Sequence, residues 1–136
     1  MKFKDNYHET LFCVIMQKMN CKDVYRQTVA YLIALDSVCR NHVEEMFNFK
    51  EQCIRTECLH KEWQTGTSKK TTRLAFNLWN NRCTDDETYI DENGYKTNLP
   101  SVHYSVSEIF CCEYAPYYWE AVKIRYPKYT NENEWE

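Results

Sequence analysis

The chain has 136 residues, a mass of 16.5 kDa and a formal net charge of −3, which fits one domain of ordinary size. It contains only 2 Gly and 3 Pro, and two glycines are too few for the positive-φ turns of Gly-rich nucleotide folds, sandwiches and barrels. Its 4 Trp, 11 Tyr and 6 Phe must supply much of the core, because aliphatic residues are scarce. We therefore expect a compact, all-α single domain over residues 1–136, built from about six short helices.

Charge and hydropathy limit the partners and the compartment. The nearly balanced charge gives no reason to expect duplex nucleic acid or an anionic membrane as a partner. The first apolar run, residues 11–16, is too short for a signal-peptide core or a membrane span. We therefore expect a cytoplasmic protein whose 8 Cys are buried thiols rather than a disulfide framework.

Three early segments carry apolar residues at helical spacing. The predicted helices are residues 8–19, 24–35 and 38–47. Asp23 is a candidate N-cap for the second helix, and Asp36 or Ser37 can cap the third. Residues 49–63 follow a less regular pattern, which is typical of a bent or short helix.

The clearest helix start in the chain is Thr-Gly-Thr-Ser at residues 65–68. The helix after it is predicted over residues 72–79, and Asn80-Asn81 closes it. A long polar loop, residues 82–104, follows. Within that loop, Asn93-Gly94 favours a small hairpin, because this dipeptide accommodates tight hairpin turns.

Two more helices are predicted near the end of the chain. Ser105 begins a capping box for a helix that runs to about residue 113. Pro116 suits a first helical position, and a last helix is predicted over residues 117–126. The polar tail, residues 131–136, is expected to be frayed.

Hydroxyl and basic residues at the 65–68 helix start make it a candidate anion site. A helix N-terminus presents unpaired N–H groups and a partial positive charge, which suit a phosphate or carboxylate. Arg73 could clamp a second oxygen, and Trp63 could stack on a base. In the alternative interpretation, Thr67 or Ser68 caps the helix and the lysines are solvated. The candidate ligand-binding residues are Trp63, Gln64, Gly66, Thr67, Ser68, Lys70, Arg73 and Asn77.

Cysteine and histidine residues raise the question of a metal site. The candidate ligands are Cys39, His42, Cys53 and Cys58. Zinc accepts such ligands in tetrahedral geometry, yet neither pair has a standard finger spacing. Buried structural thiols explain the same cysteines without a metal. We therefore expect no metal and no other cofactor.

Acid–base chemistry has one weak candidate pair, His42 and Glu45, which lie one turn apart on the same predicted helix face. No serine or cysteine nucleophile motif accompanies them. The sequence therefore favours a protein that is not an enzyme. A small hydrolase that uses His42 and Arg73 remains as a third hypothesis.

Two features suggest a protein interface. Acidic residues cluster in the long loop without the spacing of a calcium loop: Asp85, Asp86, Glu87, Asp91 and Glu92. Aromatic residues crowd the last predicted helices: Tyr114, Tyr117, Tyr118, Trp119 and Tyr126. These rings cannot all face inward, so the surplus could line a groove or contact a partner or a second copy.

Several blocks carry a resemblance to a known family: Phe47-Asn48-Phe49-Lys50-Glu51, Trp63-Gln64-Thr65-Gly66-Thr67-Ser68, Thr72-Arg73-Leu74-Ala75-Phe76-Asn77-Leu78 and Tyr114-Ala115-Pro116-Tyr117. The chain resembles a domain-of-unknown-function family of small proteins from low-GC Gram-positive bacteria, their phages and mobile elements. It departs from the family pattern in Cys58 and in a longer acidic loop. The resemblance implies no activity, but the association with phages suggests a role in phage–host conflict within the host cytoplasm.

These observations lead to three hypotheses. In the first, a non-enzymatic binding protein holds a phosphate-bearing small ligand such as a nucleotide at the 65–68 helix start and sequesters a defence signal. In the alternative, the acidic loop and the aromatic C-terminal helices form an inhibitor or adaptor surface for a defence component. The small hydrolase comes third.

Overall fold

The computed structural model describes residues 1–85, 89–90, 92–94, 96–97 and 100–130. The described part contains six α-helices: α1 Asn6–Gln17, α2 Val24–Leu35, α3 Val43–Met46, α4 Gly66–Asn80, α5 Val106–Ile109 and α6 Ala115–Arg125. Two antiparallel hairpins join strands β1 Phe47–Asn48, β2 Cys53–Ile54, β3 Tyr89–Ile90 and β4 Lys96–Thr97. Short 3₁₀ helices lie at Cys39–His42, Thr56–His60, Val102–Tyr104 and Pro127–Tyr129. The all-α class predicted from the composition is confirmed.

Helix α2 is the centre of the domain, and α1, α4 and α6 pack around it. Its last two turns are buried on every side, from Thr28 to Leu35. A helix enclosed in this way must be largely apolar. Its two buried hydroxyl groups are satisfied, since Thr28 donates to the Val24 carbonyl and Tyr31 to the Lys2 carbonyl. One core cluster joins α2 to α1 and the β1 hairpin, and a second joins it to α4 and α6.

The chain before α1 is tied to α2 through His8, which is fully buried. The backbone N–H of Lys4 donates to His8 Nδ1, so the proton resides on Nε2, which donates to the Tyr31 carbonyl over 2.9 Å. Burial lowers the pKa of His8 below its ordinary value, and the Tyr31 carbonyl only partly opposes that effect. His8 is thus held as a neutral imidazole in one tautomer.

A buried polar network joins the end of α2 to α4 and α6. One carboxylate oxygen of Asp36 accepts the backbone N–H groups of Val38 and Cys39, as expected for a helix cap. The other accepts the hydroxyl of Thr71 over 2.7 Å, and Thr71 Oγ1 lies 2.6 Å from the Tyr118 hydroxyl. These bonds satisfy a carboxylate that is only 1% exposed.

The segment after α2 does not form the two helices predicted for it. The expected third helix divides into the 3₁₀ helix Cys39–His42 and the single turn α3, and Phe47 then pairs with Ile54. The bent helix predicted over residues 49–63 is instead a hairpin followed by the 3₁₀ helix Thr56–His60. The Asn48 side chain accepts the N–H groups of Lys50 and Glu51 and so forms a turn that competes with a helix.

Later elements agree more closely with the prediction. Helix α4 begins at Gly66, about a turn and a half before the predicted start, and Asn81 ends it in the left-handed region at φ 65°. The predicted hairpin forms, with Tyr89 opposite Thr97 and Gly94 at φ 81°. Helix α5 is a single turn that stops at Ile109, short of the predicted end. The tail predicted to be frayed lies outside the described residues.

No helix within the described ranges is long and apolar enough to cross a membrane. All eight cysteines are free thiols, but only Cys39 and Cys58 are buried, whereas Cys13, Cys21 and Cys111 are exposed. The expectation of free thiols therefore fits the structure, while their general burial was wrong.

Candidate functional site

The start of α4 is capped by its own side chains. Thr65 Oγ1 accepts the N–H of Ser68 over 3.0 Å, and Ser68 Oγ accepts the N–H of Thr65 over 2.7 Å, which completes a capping box. Ser68 is fully buried and also donates to the side-chain oxygen of Gln64. Gln64 in turn donates to the Cys58 carbonyl and to Thr72. The structure thus turns Gln64 and Ser68 inward, away from a ligand outside the helix.

The predicted cationic clamp is also engaged within the chain. Arg73 forms a two-pronged ion pair with Asp85, and Lys70 Nζ donates to the Glu108 carbonyl over 2.6 Å. Asn77 donates to the carbonyl of Arg82 over 3.1 Å. These side chains therefore fasten the segment after α4, and α5, to the α4 surface.

Two predicted residues keep an open environment at the α4 start. Gly66 is exposed, and a Cβ added to it would meet no heavy atom within 4 Å. Thr67 is half-buried, and its hydroxyl makes no hydrogen bond to another described residue. The open part of the predicted anion site is thus reduced to one turn of backbone with Lys69 beside it.

The candidate catalytic pair meets a predicted ligand-binding residue at the surface. Glu45 accepts from His42 Nδ1 over 3.0 Å and from Trp63 Nε1 over 2.7 Å. The rings of His42 and Trp63 stack in parallel, with centroids 4.0 Å apart and 2° between their planes. The hydrogen bonds from His42, and then Trp63, lower the pKa of Glu45 below its ordinary value. Sequence spacing predicted the His42–Glu45 contact, but the place of Trp63 depends on the intervening hairpin.

The candidate metal ligands do not gather. Cys39 and Cys58 are buried, while His42 is at the surface beside Glu45 and Cys53 lies half-buried in β2. Burial raises the pKa of Cys58 to about 12 and that of Cys39 well above its ordinary value, which opposes the thiolate that zinc requires. In the part of the chain that the structure describes, no three His, Cys, Asp or Glu side chains are placed to share a metal ion.

The root of the acidic loop is closed by specific contacts. Ser101 N donates to the Cys83 carbonyl over 2.8 Å, which brings the two ends of the loop together. Burial raises the pKa of Asp85, but the hydrogen bonds and charge of Arg73 outweigh burial, so the pKa lies below its ordinary value. Burial, and then the charge of Asp85, raise the pKa of Tyr104. Asp86, Glu87 and Asp91 of the predicted acidic cluster lie outside the described residues, and Glu92 is exposed.

An apolar surface follows directly after this loop. We call it the C-terminal surface and define it by Val102, Val106, Phe110 and Trp119. Val102 is 71% exposed, Val106 60% and Trp119 51%. The ring of Trp119 packs on that of Phe110 with centroids 4.3 Å apart. The aromatic rings of the last helices do not all face inward, as expected: Tyr114 and Tyr118 are buried, while Trp119 is exposed.

Negative charge surrounds the C-terminal surface in the sequence. The segment from Thr84 to Glu120 contains a single Lys and no Arg, against eight acidic residues: Asp85, Asp86, Glu87, Asp91, Glu92, Glu108, Glu113 and Glu120. Glu108 and Glu113 are exposed, and Glu120 accepts the N–H of Lys2 over 3.1 Å. The exposed apolar groups thus belong to a strongly acidic part of the chain.

Comparison with characterised proteins finds no match, and comparison with solved structures finds none. A sequence family matches the chain over residues 1–136, its whole length. That family is described only as a family of unknown function, in agreement with the resemblance carried by the sequence blocks around α4. The chain therefore belongs to the family of unknown function DUF6075.

Proposed function

We propose that this protein acts by binding rather than by catalysis, and that its C-terminal surface and acidic loop dock onto a basic surface of a partner protein. The observation that carries the proposal is the exposed Trp119, packed on the half-buried Phe110, together with the exposed Val102 and Val106 in the same strongly acidic segment. An apolar centre with a charged rim is the common anatomy of a protein interface.

The apolar side chains of the C-terminal surface are exposed to water. Trp119 leaves about half of its surface in water although it already packs on Phe110. Trp is among the residues that contribute most when they are buried in an interface. Clustered exposed apolar side chains, unlike single scattered ones, typically mark an interaction site.

The negative charge of this segment favours a basic partner. The acidic loop leaves and rejoins the domain at Cys83 and Ser101, immediately before Val102. A positively charged partner would therefore be attracted toward the C-terminal surface, whereas nucleic acid would be repelled from it. We thus favour a basic protein surface over a second copy of this acidic segment.

The other two hypotheses receive less support. A phosphate-bearing ligand at the α4 start would lack Arg73, Lys70 and Ser68, which are engaged in contacts within the chain. For the hydrolase hypothesis, His42 is oriented by its hydrogen bond to Glu45, but Arg73, the second residue of that hypothesis, is paired with Asp85. Both remain predictions and rank after partner binding.

We further propose a setting for this interaction. The partner would be a defence component met in the cytoplasm of the cell, and the protein, encoded by a phage or mobile element, would inhibit it. This proposal rests on the sequence resemblance and on the acidic, apolar surface.

The test begins with a partner captured from a host lysate, identified by mass spectrometry and then purified. Direct calorimetric titration with that partner should show binding that weakens as salt increases. Trp119→Ala should weaken the affinity at least about tenfold, as expected for an interface anchor. Tyr7→Ala is the matched control, because Tyr7 is an exposed aromatic residue, 57% exposed, on α1.

Two further measurements separate the alternatives. Deletion of residues 84–95 should abolish binding to the purified partner. Light scattering of the protein alone should give the mass of a monomer; a dimer that Trp119→Ala dissolves would assign the surface to a second copy instead. Equal affinities for Trp119→Ala and Tyr7→Ala would contradict the proposal.

A further inference from the structure

A groove lies between α1, α2 and the start of the chain, apart from the C-terminal surface. Its volume is about 320 Å³, within the range of small-molecule sites. The residues that line it include Met1, Phe12, Cys13, Met16, Lys22 and Gln27. None of them takes part in the proposed partner surface, so the groove raises a separate question.

The groove has an apolar side formed by Met1, Phe12 and Met16. Met16 is only 7% exposed and belongs to the core, whereas Met1 is 57% exposed. Methionine side chains are flexible and polarizable, so they adapt to ligands of varied shape. The wall is therefore suited to an alkyl chain or a ring rather than to a polar molecule.

The charge in the groove is positive. Lys22 has the one charged side chain among the residues that line the groove, and Met1, which also lines it, carries the N-terminal ammonium group. No carboxylate lies within ion-pair distance of Lys22 in the described part of the chain. The Gln27 side chain donates to the Lys22 carbonyl over 2.5 Å and holds this turn against α2. A ligand in the groove would thus meet both apolar side chains and the ammonium group of Lys22.

The cleft beside His42 lacks this polarity. Its volume is about 400 Å³, but Arg40, Glu44 and Glu45 line it together, so both signs of charge compete for any ionic ligand. The α1–α2 groove offers one sign of charge and one apolar wall, which define a class of ligand.

We propose that the α1–α2 groove binds a small amphipathic anion. The apolar part of the ligand lies against Phe12 and Met16, and its carboxylate or equivalent anionic group pairs with Lys22. The geometry requires no covalent step and no metal.

Cys13 provides a direct readout, because it is exposed and lines the groove. The probe is decanoate, and the measurement is the rate at which N-ethylmaleimide modifies each thiol, followed by peptide mass spectrometry on the wild-type protein. Decanoate should slow modification of Cys13 at least about fivefold. Cys111, which is exposed near the C-terminal surface, is the internal control and should react at an unchanged rate.

Charge recognition is tested with a second probe and a pair of variants. Decyltrimethylammonium has the same chain with the opposite charge and should leave Cys13 unprotected. Lys22→Gln should weaken the protection by decanoate about tenfold, since a charge-assisted contact is lost. Lys18→Gln is the matched control, because Lys18 is also exposed but lies over Phe49 outside the groove.

The results that overturn the proposal are specific. Equal protection of Cys13 and Cys111 by decanoate would show that the probe adsorbs generally to the protein. Equal protection of Cys13 by decanoate and by decyltrimethylammonium would show that Lys22 does not recognise the negative charge. Equal effects of Lys22→Gln and Lys18→Gln would lead to the same conclusion. Trp119→Ala should leave the protection of Cys13 unchanged. The groove proposal and the partner-surface proposal can therefore be contradicted independently of each other.

Discussion

Arg73 and Asp85 form a two-pronged ion pair that fastens the start of the acidic loop to α4. The guanidinium donates from Nε to Asp85 Oδ1 over 3.1 Å and from Nη2 to Oδ2 over 2.8 Å. The two side chains are only 13% and 22% exposed. Water screens such a pair less than an ordinary surface pair. Its two parallel hydrogen bonds fix the orientation of the carboxylate relative to the guanidinium as well as their distance.

Asp85→Asn should destabilise the fold by about 1–3 kcal/mol, because it leaves the half-buried Arg73 without its ionic partner. Urea unfolding at neutral pH measures the change. Arg73→Met combined with Asp85→Asn should cost less than the sum of the two single changes. Glu51→Gln, at an exposed position, is the control. Additive single effects would mean that the ion pair does not couple the loop to α4.

The same pair predicts a loss of stability in acid. The pKa of Asp85 lies below its unfolded value of 3.8, so the folded protein binds fewer protons in the window below that value. The contribution of the pair is complete above the unfolded pKa and is lost as the pH falls through the folded pKa. The difference in urea midpoint between wild type and Asp85→Asn should therefore shrink as the pH falls from 5 toward about 3.

His8 predicts a second pH dependence at higher pH. Burial lowers its pKa below the unfolded value of 6.5, so the unfolded chain binds more protons between the two pKa values. Stability should therefore fall as the pH decreases below the unfolded pKa. Proton NMR titration should give His8 a lower pKa in the folded protein than in the urea-unfolded chain; equal values would contradict the neutral tautomer.

Thr71 should matter more for stability than Tyr118 within their shared network. Thr71→Val removes the hydroxyl that donates to the buried Asp36 carboxylate and should cost about 1–3 kcal/mol. Tyr118→Phe leaves that bond intact and should cost about 1 kcal/mol. Thermal unfolding compares the two, with Thr10→Val at an exposed position as the control. The opposite ranking would contradict the assigned direction of the bonds.

Ser68→Ala distinguishes capping from ligand binding at the start of α4. The substitution removes the hydroxyl that accepts the Thr65 N–H and donates to Gln64, while the Thr65 hydroxyl still accepts the N–H of residue 68; it should cost about 0.5–2 kcal/mol in the absence of any ligand. Thr67→Ala, one residue earlier and half-buried, should change stability by less.

A thermal-shift screen tests what remains of the nucleotide hypothesis. A ligand bound to the folded state alone must raise the melting temperature. We expect no nucleotide to do so, because Arg73 and Lys70 are engaged elsewhere. A shift that Lys69→Gln abolishes would restore the hypothesis at the open first turn of α4.

Local signals in the sequence predicted much of the fold. Apolar periodicity located α2 at its observed bounds, and Asp23 caps it through the N–H of Arg26. The first turns of α4 could not be found in this way, because Ser68, Thr71 and Thr72 are buried polar residues that break the apolar pattern. The turn at Asn48 depends on side-chain bonds that no periodicity expresses.

The candidate site was predictable only in its local pairs. His42 and Glu45 are three residues apart, so helical spacing predicts their contact, which forms where the 3₁₀ helix Cys39–His42 meets α3. Arg73 is predicted to clamp an oxygen of a bound anion, whereas in the structure it pairs with Asp85, 12 positions along the chain. Gln64 is predicted to bind a ligand, whereas its amide group donates to Thr72 and to the Cys58 carbonyl of the 3₁₀ helix Thr56–His60. The partners of Arg73 and Gln64 are therefore determined by tertiary packing rather than by local sequence.

The central position of α2 has a consequence for the order in which this chain folds during synthesis. The ribosome delivers α2 second, but α6, one of the helices that enclose it, emerges near the end. Until α6 arrives, the face of α2 that carries Tyr31, Leu32 and Leu35 has no cover from that side. A nascent chain stopped at the acidic loop would therefore expose this face to chaperones, and adding the missing segment as a separate peptide should restore the cover.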